Sequence, residues 1–296
     1  MLGSAIARRT PINKVTSYRI KILEVYDPTD YVGWLEFRAR NDTVPTSSVL
    51  TASVGHGYGS INSAYEDRLN MKVKKVSPYD FTEMAKKHGT TMEPKAKQAF
   101  RNFAFGLKGY LGETQELTEC IENDTSQLIE ITEVWNSFGN EEGLCAKMIC
   151  TPDAMYKAPY GNLVVEFKAP YSVVVRRGDK TILEAIKTDF LTKNPYGGEY
   201  AFTQAATYSL VGNAKKFITA YYFTNTFDEE YLVIYAYEGS NDLYQELFGH
   251  ILKCNNELQH KKNHPTTKYR LAKNTKVKIT EMMENHLVLG PIIYDV

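Results

Sequence analysis

The 296-residue chain reads as a mixed α/β fold, a central mixed β-sheet flanked by helices and preceded by a mainly helical N-terminal part. Three observations predict it. Apolar residues recur at helical spacing through the first part, short β-rich runs begin at Gly143, and helical stretches are embedded between those runs. Apolar residues make up 43% of the chain and charged residues 24%, near the averages of globular proteins, which argues against disordered and fibrous classes. The length suits one large domain or two small ones. We read a single domain, 1–296: a helical part (1–142), a sheet core (143–240), and a C-terminal helix with a basic tail (241–296).

In SPYDFTEMAKKHG, Phe81, Met84, Ala85 and His88 share a helical face, and Gly89 is placed to end the segment. TTMEPKAKQAFRNF starts a second helix with Ala96, Ala99, Phe100 and Phe103 as its buried stripe, Pro94 being tolerated near the first turn. LCAKMIC, NLVVEFKAP, KKFITAYYF and EYLVIYAYE are strand candidates bounded by Gly, Pro, Asn and Asp. TILEAIKTDFL and EYAFTQAATYSLVG are helices between the second and third of these. DLYQELFGHILKCNNEL is an amphipathic helix facing the core with Leu243, Leu247, Ile251 and Leu252.

No run approaches the ~18 apolar residues of a membrane span, and MLGSAIARRTPINK lacks the apolar core of a secretion signal. The expectation is a soluble intracellular chain, in the cytoplasm or, for a viral protein, the host cytoplasm or nucleus. Cys120, Cys145, Cys150 and Cys254 lack CxxC spacing and pair with no histidine in a zinc pattern, so they read as buried free thiols. Basic and acidic residues balance at 35 each, which excludes coating of nucleic acid by bulk charge but leaves local patches. Lys72, Lys74 and Lys75 form one, Arg176 and Arg177 another, Lys215 and Lys216 a third, and the segment from Lys261 to Lys278 a fourth. Each is either a phosphate contact or a solvated face.

The sharpest chemistry lies in ICTPDAMYKAPYGNLVVEFKAPY. A strand delivers Asp153 at a Pro-Asp turn, and a hairpin-like return leads to a strand carrying Glu166 and Lys168. Side chains alternate along a strand, so Glu166 and Lys168 share a face and Phe167 takes the other. Two carboxylates and an ammonium that converge suit hydrolysis of a phosphodiester. Magnesium takes one or two protein carboxylates plus substrate phosphate, activates water, and leaves the lysine to stabilise developing charge. The competing reading is a turn aspartate plus a solvated charge pair on an edge strand. Leu163, Val164, Val165 and Phe167 weigh against it, because so apolar a strand is central, where unpaired charges are costly.

TPD followed by VVEFKAP resembles the signature of the PD-(D/E)XK nucleases. Further segments resemble, in order, viral recombinase exonucleases of the YqaJ and lambda exonuclease type. These are Trp34 with Arg38 and Arg40, LTASVGHGYGS with AYEDRL, GTTMEPKAKQAF, and AFTQAATYSLVG leading into KKFITAYYF. The resemblance spans roughly residues 30 to 225 and implies a restriction-endonuclease-like core. NDTVPTSSVL is inserted between Arg40 and Thr51 relative to the family pattern.

The resemblance implies roles. Asp153, Glu166, the backbone carbonyl of Phe167 and Glu93 would hold Mg2+, or Mn2+ in its place, as two ions. Lys168 and Gln204 would complete the catalytic set, and Ser53 with Thr51, Arg38 and Arg40 would contact the 5′ phosphate region. Without the resemblance, Glu93 reads equally as the end of a capping box from Thr90, Gln204 as an exposed helix position, and Ser53 as an N-cap. The implied activity is 5′ to 3′ degradation of one strand of linear double-stranded DNA, giving 3′ single-stranded tails for recombination or repair. The implied partners are DNA ends, a single-strand annealing protein and two further copies in a trimeric ring. The alternatives are a structure-specific or restriction-type endonuclease on the same core, and an inactive fold that binds DNA ends. Trp34, Trp135 and the many tyrosines serve either as base-stacking surface or as core.

Overall fold

The computed structural model describes residues 15–26, 30–57, 59–70, 81–103, 107, 118–121, 125–135, 141–158, 161–225, 229–272 and 274–296. The chain opens with β1 (Val15–Tyr26), then α1 (Tyr31–Arg40), α2 (Ser47–Ser53), α3 (Ile61–Arg68) and the long α4 (Phe81–Phe103). Asp30, Thr46 and Ser60 cap the three short helices by accepting from the amides of Gly33, Val49 and Ser63, which satisfies donors a helix start leaves open. Strands β2 (Thr118–Ile121), β3 (Ser126–Trp135), β4 (Glu141–Cys150), β5 (Ala154–Ala158) and β6 (Gly161–Lys168) follow. Then come α5 (Tyr171–Val175), α6 (Ile182–Ala185), a π-helical turn (Ile186–Phe190), α7 (Leu191–Lys193) and α8 (Glu199–Val211). The chain continues through β7 (Lys216–Thr224), β8 (Glu230–Glu238), α9 (Asn241–Asn263), α10 (Thr275–His286) and β9 (Leu287–Asp295).

The predicted mixed sheet is present. Six strands run in the order β2-β5-β6-β7-β8-β9, parallel only between β6 and β7 and antiparallel elsewhere. The strand candidates at 162–170, 215–223 and 230–238 correspond to β6, β7 and β8. On one face, Leu163, Val165 and Phe167 of β6 pack with Ile218, Ala220, Leu232 and Ile234 under Ala96, Ala99 and Phe100 of α4. On the other, Val164, Phe217, Tyr221 and Val233 pack against α8. Every residue of α8 from Ala201 to Val211 is buried, as expected of a helix covered on all sides. Ahead of it Gly197 has φ +96, and a Cβ there would collide with the Tyr237 hydroxyl, so the turn admits only glycine.

Three sequence expectations need correcting. The part before residue 143 is not only helical, since β1, β3 and β4 form a separate three-stranded sheet in the order β1-β3-β4. α1 lies on it through Phe37, Val44, Leu128 and Ile149. The two helices expected to break at Gly89 are one helix with Gly89 and Pro94 inside it. Beside that proline, Thr90 and Thr91 donate to the carbonyls of Lys86 and Lys87 at 3.2 and 2.8 Å. Its expected stripe is present, with Ala96, Ala99 and Phe100 buried and Phe103 partly so, while Phe81 and Met84 in the N-terminal half are 40% and 49% exposed. Finally, the tail beyond α9 carries α10 and the edge strand β9, which pairs with β8.

The cysteines and basic segments also separate. Cys150 and Cys254 are buried free thiols, whereas Cys145 is exposed. Lys261 is fully buried and donates to the carbonyls of Pro265 and Thr267 at 3.0 and 2.9 Å. Lys262, Lys268, Lys276 and Lys278 are each ion-paired, to Asp42, Glu66, Glu199 and Glu246. The 261–278 patch is therefore largely neutralised and partly structural. The side chains of Cys120 and Trp135, and the Lys72, Lys74 and Lys75 patch, lie outside the described residues.

The inserted segment is fixed from below. Arg68, buried at the end of α3, donates to the carbonyls of Val44 (2.8 Å), Arg38 (3.0 Å) and Asn41. Burial lowers its pKa first, with repulsion from Arg38 adding, to about 10. Arg68→Ala strands these carbonyls without their donor and is expected to cost about 2 kcal/mol. A urea midpoint equal to wild type would show the turn is held by other means.

Candidate active site

Asp153 stands where the chain passes from one sheet to the other, after β4 and immediately before β5. In the β5–β6 ladder Ala154 lies opposite Val165, which sets Asp153 beside Glu166. The Phe167 amide then donates to Asp153 Oδ2 at 2.8 Å. A strand residue directs its N–H and C=O toward the same neighbour, so the Phe167 carbonyl also lies on the Asp153 side. Lys168 donates to Glu166 Oε1 and stands 3.9 Å from Asp153 Oδ2. Asp153, Glu166, Phe167 and Lys168 are thus together at one end of β6.

The burial of this group sets its electrostatics. Glu166 is 1% exposed. Burial pushes its carboxyl up and repulsion from Asp153 adds to that; Lys168 offsets part, Glu93 adds a little more, and the result is about 8. Burial opposes the charge on Lys168, but Glu166 and Asp153 outweigh it and hold the ammonium protonated. The tip of Lys168 also lies 5.7 Å from the centre of the Tyr200 ring, a cation–π contact. Glu93, on α4, is paired with Lys97 at 2.7 Å. Its influence on Glu166 brings it within electrostatic reach of the cluster, and its mid-helix position excludes the capping-box reading.

The opposite wall is α8. Tyr200, Gln204 and Tyr208 recur every fourth residue and so form one stripe along it. Tyr200 meets Lys168, and Tyr208 feels the charges of Glu166 and Asp153, so Gln204 lies between them over the same face. At 7% exposure it is not a solvated helix position. Its Nε2 donates to Ser47 Oγ at 3.2 Å, and Ser47 Oγ is 2.5 Å from the Tyr208 hydroxyl. Thr203, Thr207 and Ser209, also buried in α8, return their hydroxyls to helix carbonyls. Gln204 Oε1 does not: it is buried with no hydrogen-bond partner, and so is Glu166 Oε2.

An unpartnered oxygen on Glu166 and another on Gln204, with Asp153 and the Phe167 carbonyl beside Glu166, fit a hard divalent cation and its waters. Among the described residues no group of three or more His, Cys, Asp or Glu side chains is drawn close enough to hold an ion alone. The donors gathered here are all oxygens, the kind a hard cation takes, whereas structural zinc sites are built mainly from nitrogen and sulfur.

The residues expected at the 5′ phosphate divide. Thr51 and Ser53 are buried and give their hydroxyl protons to the carbonyls of Ser47 and Leu50, both at 2.7 Å. Neither offers a free donor to a phosphate, because a hydroxyl has one proton to give. Arg40 pairs with Glu24. Arg38 stacks 4.6 Å from the Trp34 ring; Trp34 donates to Ser126 Oγ at 3.2 Å, which is 2.9 Å from Thr151 Oγ1. That chain links Arg38, and not Arg40, to the turn bearing Asp153. Sequence reasoning missed Ser47, Tyr200 and Tyr208. The i, i+4, i+8 spacing on α8 was a usable signal for the tyrosines, whereas nothing local marked Ser47.

No protein-family model matches the chain. No curated protein matches it either. Among solved structures it is similar to LHK-Exo in complex with dAMP, at 15% identity over 84% of this chain and 99% of that one, with a TM-score of 0.45. It is similar at the same identity and TM-score to an alkaline exonuclease (LHK-Exo) from Laribacter hongkongensis, over 85% of this chain and 99% of that one. Likeness at this level says nothing of chemistry, which rests on the side chains described above.

Proposed function

We propose that the chain is a magnesium-dependent deoxyribonuclease of the YqaJ and lambda exonuclease type, which degrades one strand of linear duplex DNA 5′ to 3′ and leaves a 3′ single-stranded tail. One observation carries the nuclease reading. Asp153, Glu166 and Lys168 meet at the end of one buried strand, with two acceptor oxygens, Glu166 Oε2 and Gln204 Oε1, left without partners. The preference for ends and the polarity rest on the order of sequence segments from Trp34 to Gln204. A single-strand annealing partner and a trimeric ring belong to the same proposal.

Asp153, Glu166 and the Phe167 carbonyl would hold Mg2+, or Mn2+ in its place, with Glu93 supporting bound water. When bound, the ion polarises the phosphate and lowers the pKa of water. The chain's own groups act around it. Lys168, kept cationic by its two carboxylates, stabilises negative charge as it develops on the phosphate oxygens. Gln204, its amide turned by Ser47, presents Oε1 to accept a hydrogen bond from the attacking water. Water adds to phosphorus, the ester P–O bond breaks, and the leaving oxygen takes up a proton. Arg38, braced on Trp34, would contact the terminal phosphate, Arg40 being held by Glu24.

End-labelled linear duplex incubated with Mg2+, beside a covalently closed circle, tests the reading. Release of label from the linear DNA with the circle intact is expected. Cutting of the circle would assign an endonuclease, and binding of ends without cleavage in any divalent ion would assign an inactive end-binding protein.

A further inference from the structure

We infer that a second anion site, for a backbone phosphate of the bound strand, lies beside the acidic cluster in the cavity between α5 and the π-helical turn. The inference rests on the nuclease reading above and extends it to residues no motif identifies. The cavity holds about 370 Å³ and is lined by Pro170, Ser172, Arg176, Asp189, Phe190 and Lys193, among others. Pro170 is two residues past Lys168, a reach of ~7 Å along an extended chain, which is roughly one or two nucleotide steps.

Two cations, Arg176 and Lys193, line this cavity together. Asp189 is its acid, and both oxygens are taken by Lys180, at 3.1 and 3.0 Å. Among the described residues, Arg176 and Lys193 pair with no carboxylate, whereas the lysines at 262, 268, 276 and 278 all do. The Arg176 guanidinium is steadied 5.2 Å from the Phe81 ring, a contact that leaves its N–H donors available. Two un-neutralised cations and the Ser172 hydroxyl around one space match a phosphodiester, which asks for charge and donors. A stacked base would want an open aromatic face, and Phe190, at 5% exposure, offers none. The backbone unwinds into a π-helical turn over Ile186–Phe190, a device that often marks functional sites.

The test uses the full chain without divalent ion, so that no cleavage occurs, and a fluorescein-labelled single-stranded oligonucleotide followed by anisotropy from about 50 to 200 mM KCl. The double variant Arg176→Gln/Lys193→Gln is expected to bind about tenfold more weakly at the high-salt end, with a log–log salt slope shallower by about 1.4. Arg176→Lys keeps the charge and should keep the slope, and Lys268→Gln, beside Glu66, should behave as wild type. Should the double variant fail to fold, Lys193→Gln alone, at an exposed position, is expected to lower the slope by about 0.7. Affinity and slope equal to wild type, or a loss no larger than that of Lys268→Gln, overturn the site. Wild-type cleavage with unchanged binding by the variants overturns this inference alone, while wild type that binds no DNA overturns the nuclease reading with it.

Discussion

Asp153→Ala, Glu166→Ala and Lys168→Ala are each expected to lower cleavage of linear duplex DNA by about 10²-fold or more, while binding measured without divalent ion stays within about a factor of three. The three groups touch one another at the end of β6, so each removes a different part of one device. Loss of Asp153 also frees the Phe167 amide, which it holds at 2.8 Å. Loss of Lys168 leaves Glu166 buried without its cation. The binding surface is untouched by these changes, because all three side chains are largely enclosed. A Lys168→Ala enzyme with wild-type turnover would remove the ammonium from the chemistry. Equal loss of binding and cleavage in all three would mean the cluster holds the fold and not the reaction.

Alternation along NLVVEFK is legible in the sequence itself, because a period of two leaves no other way to place Glu166 and Lys168 on one face and Phe167 on the other. So are the three central strands, whose apolar runs are too short for helices and are bounded by turn residues. β1 and β3 escaped although Tyr18-Arg19-Ile20-Lys21-Ile22 and Ile129-Glu130-Ile131-Thr132 alternate with a period of two, a local strand signal; they pair with each other along ten positions. The rest of what escaped was set by tertiary contacts. Gly89 and Pro94 are breakers by propensity, yet α4 runs through both, since Ala96, Ala99 and Phe100 dock on the sheet and that packing outweighs local cost. Thr51 and Ser53 are expected at the 5′ phosphate region from the resemblance, with Ser53 otherwise an N-cap, whereas in the fold both are buried and bond to carbonyls of their own helix. Ser47 comes from the inserted segment, and only the fold brings it to Gln204 and Tyr208, 157 and 161 residues along the chain.

Glu166→Gln is expected to stabilise the metal-free protein at alkaline pH while abolishing cleavage. The sign follows from linkage. With its carboxyl held at about 8 against an ordinary 4.5, the folded chain keeps a proton that the unfolded chain has lost throughout that interval. Stability therefore falls as pH rises from 4.5 toward 8 and levels off above it. Glutamine carries no such charge and escapes the decline, at the cost of the Lys168 partner, for which Asp153 at 3.9 Å remains. The net gain expected at about pH 9 is on the order of 3 kcal/mol, shrinking to near zero at about pH 4, read from urea unfolding in the presence of a chelator. Added Mg2+ at alkaline pH should raise the stability of wild type more than that of Glu166→Gln, because the variant offers the ion one carboxylate fewer. A variant less stable than wild type at pH 9 would show that Lys168 alone satisfies Glu166. The strand would then carry a structural ion pair, and the orphaned oxygen would no longer point to a cation.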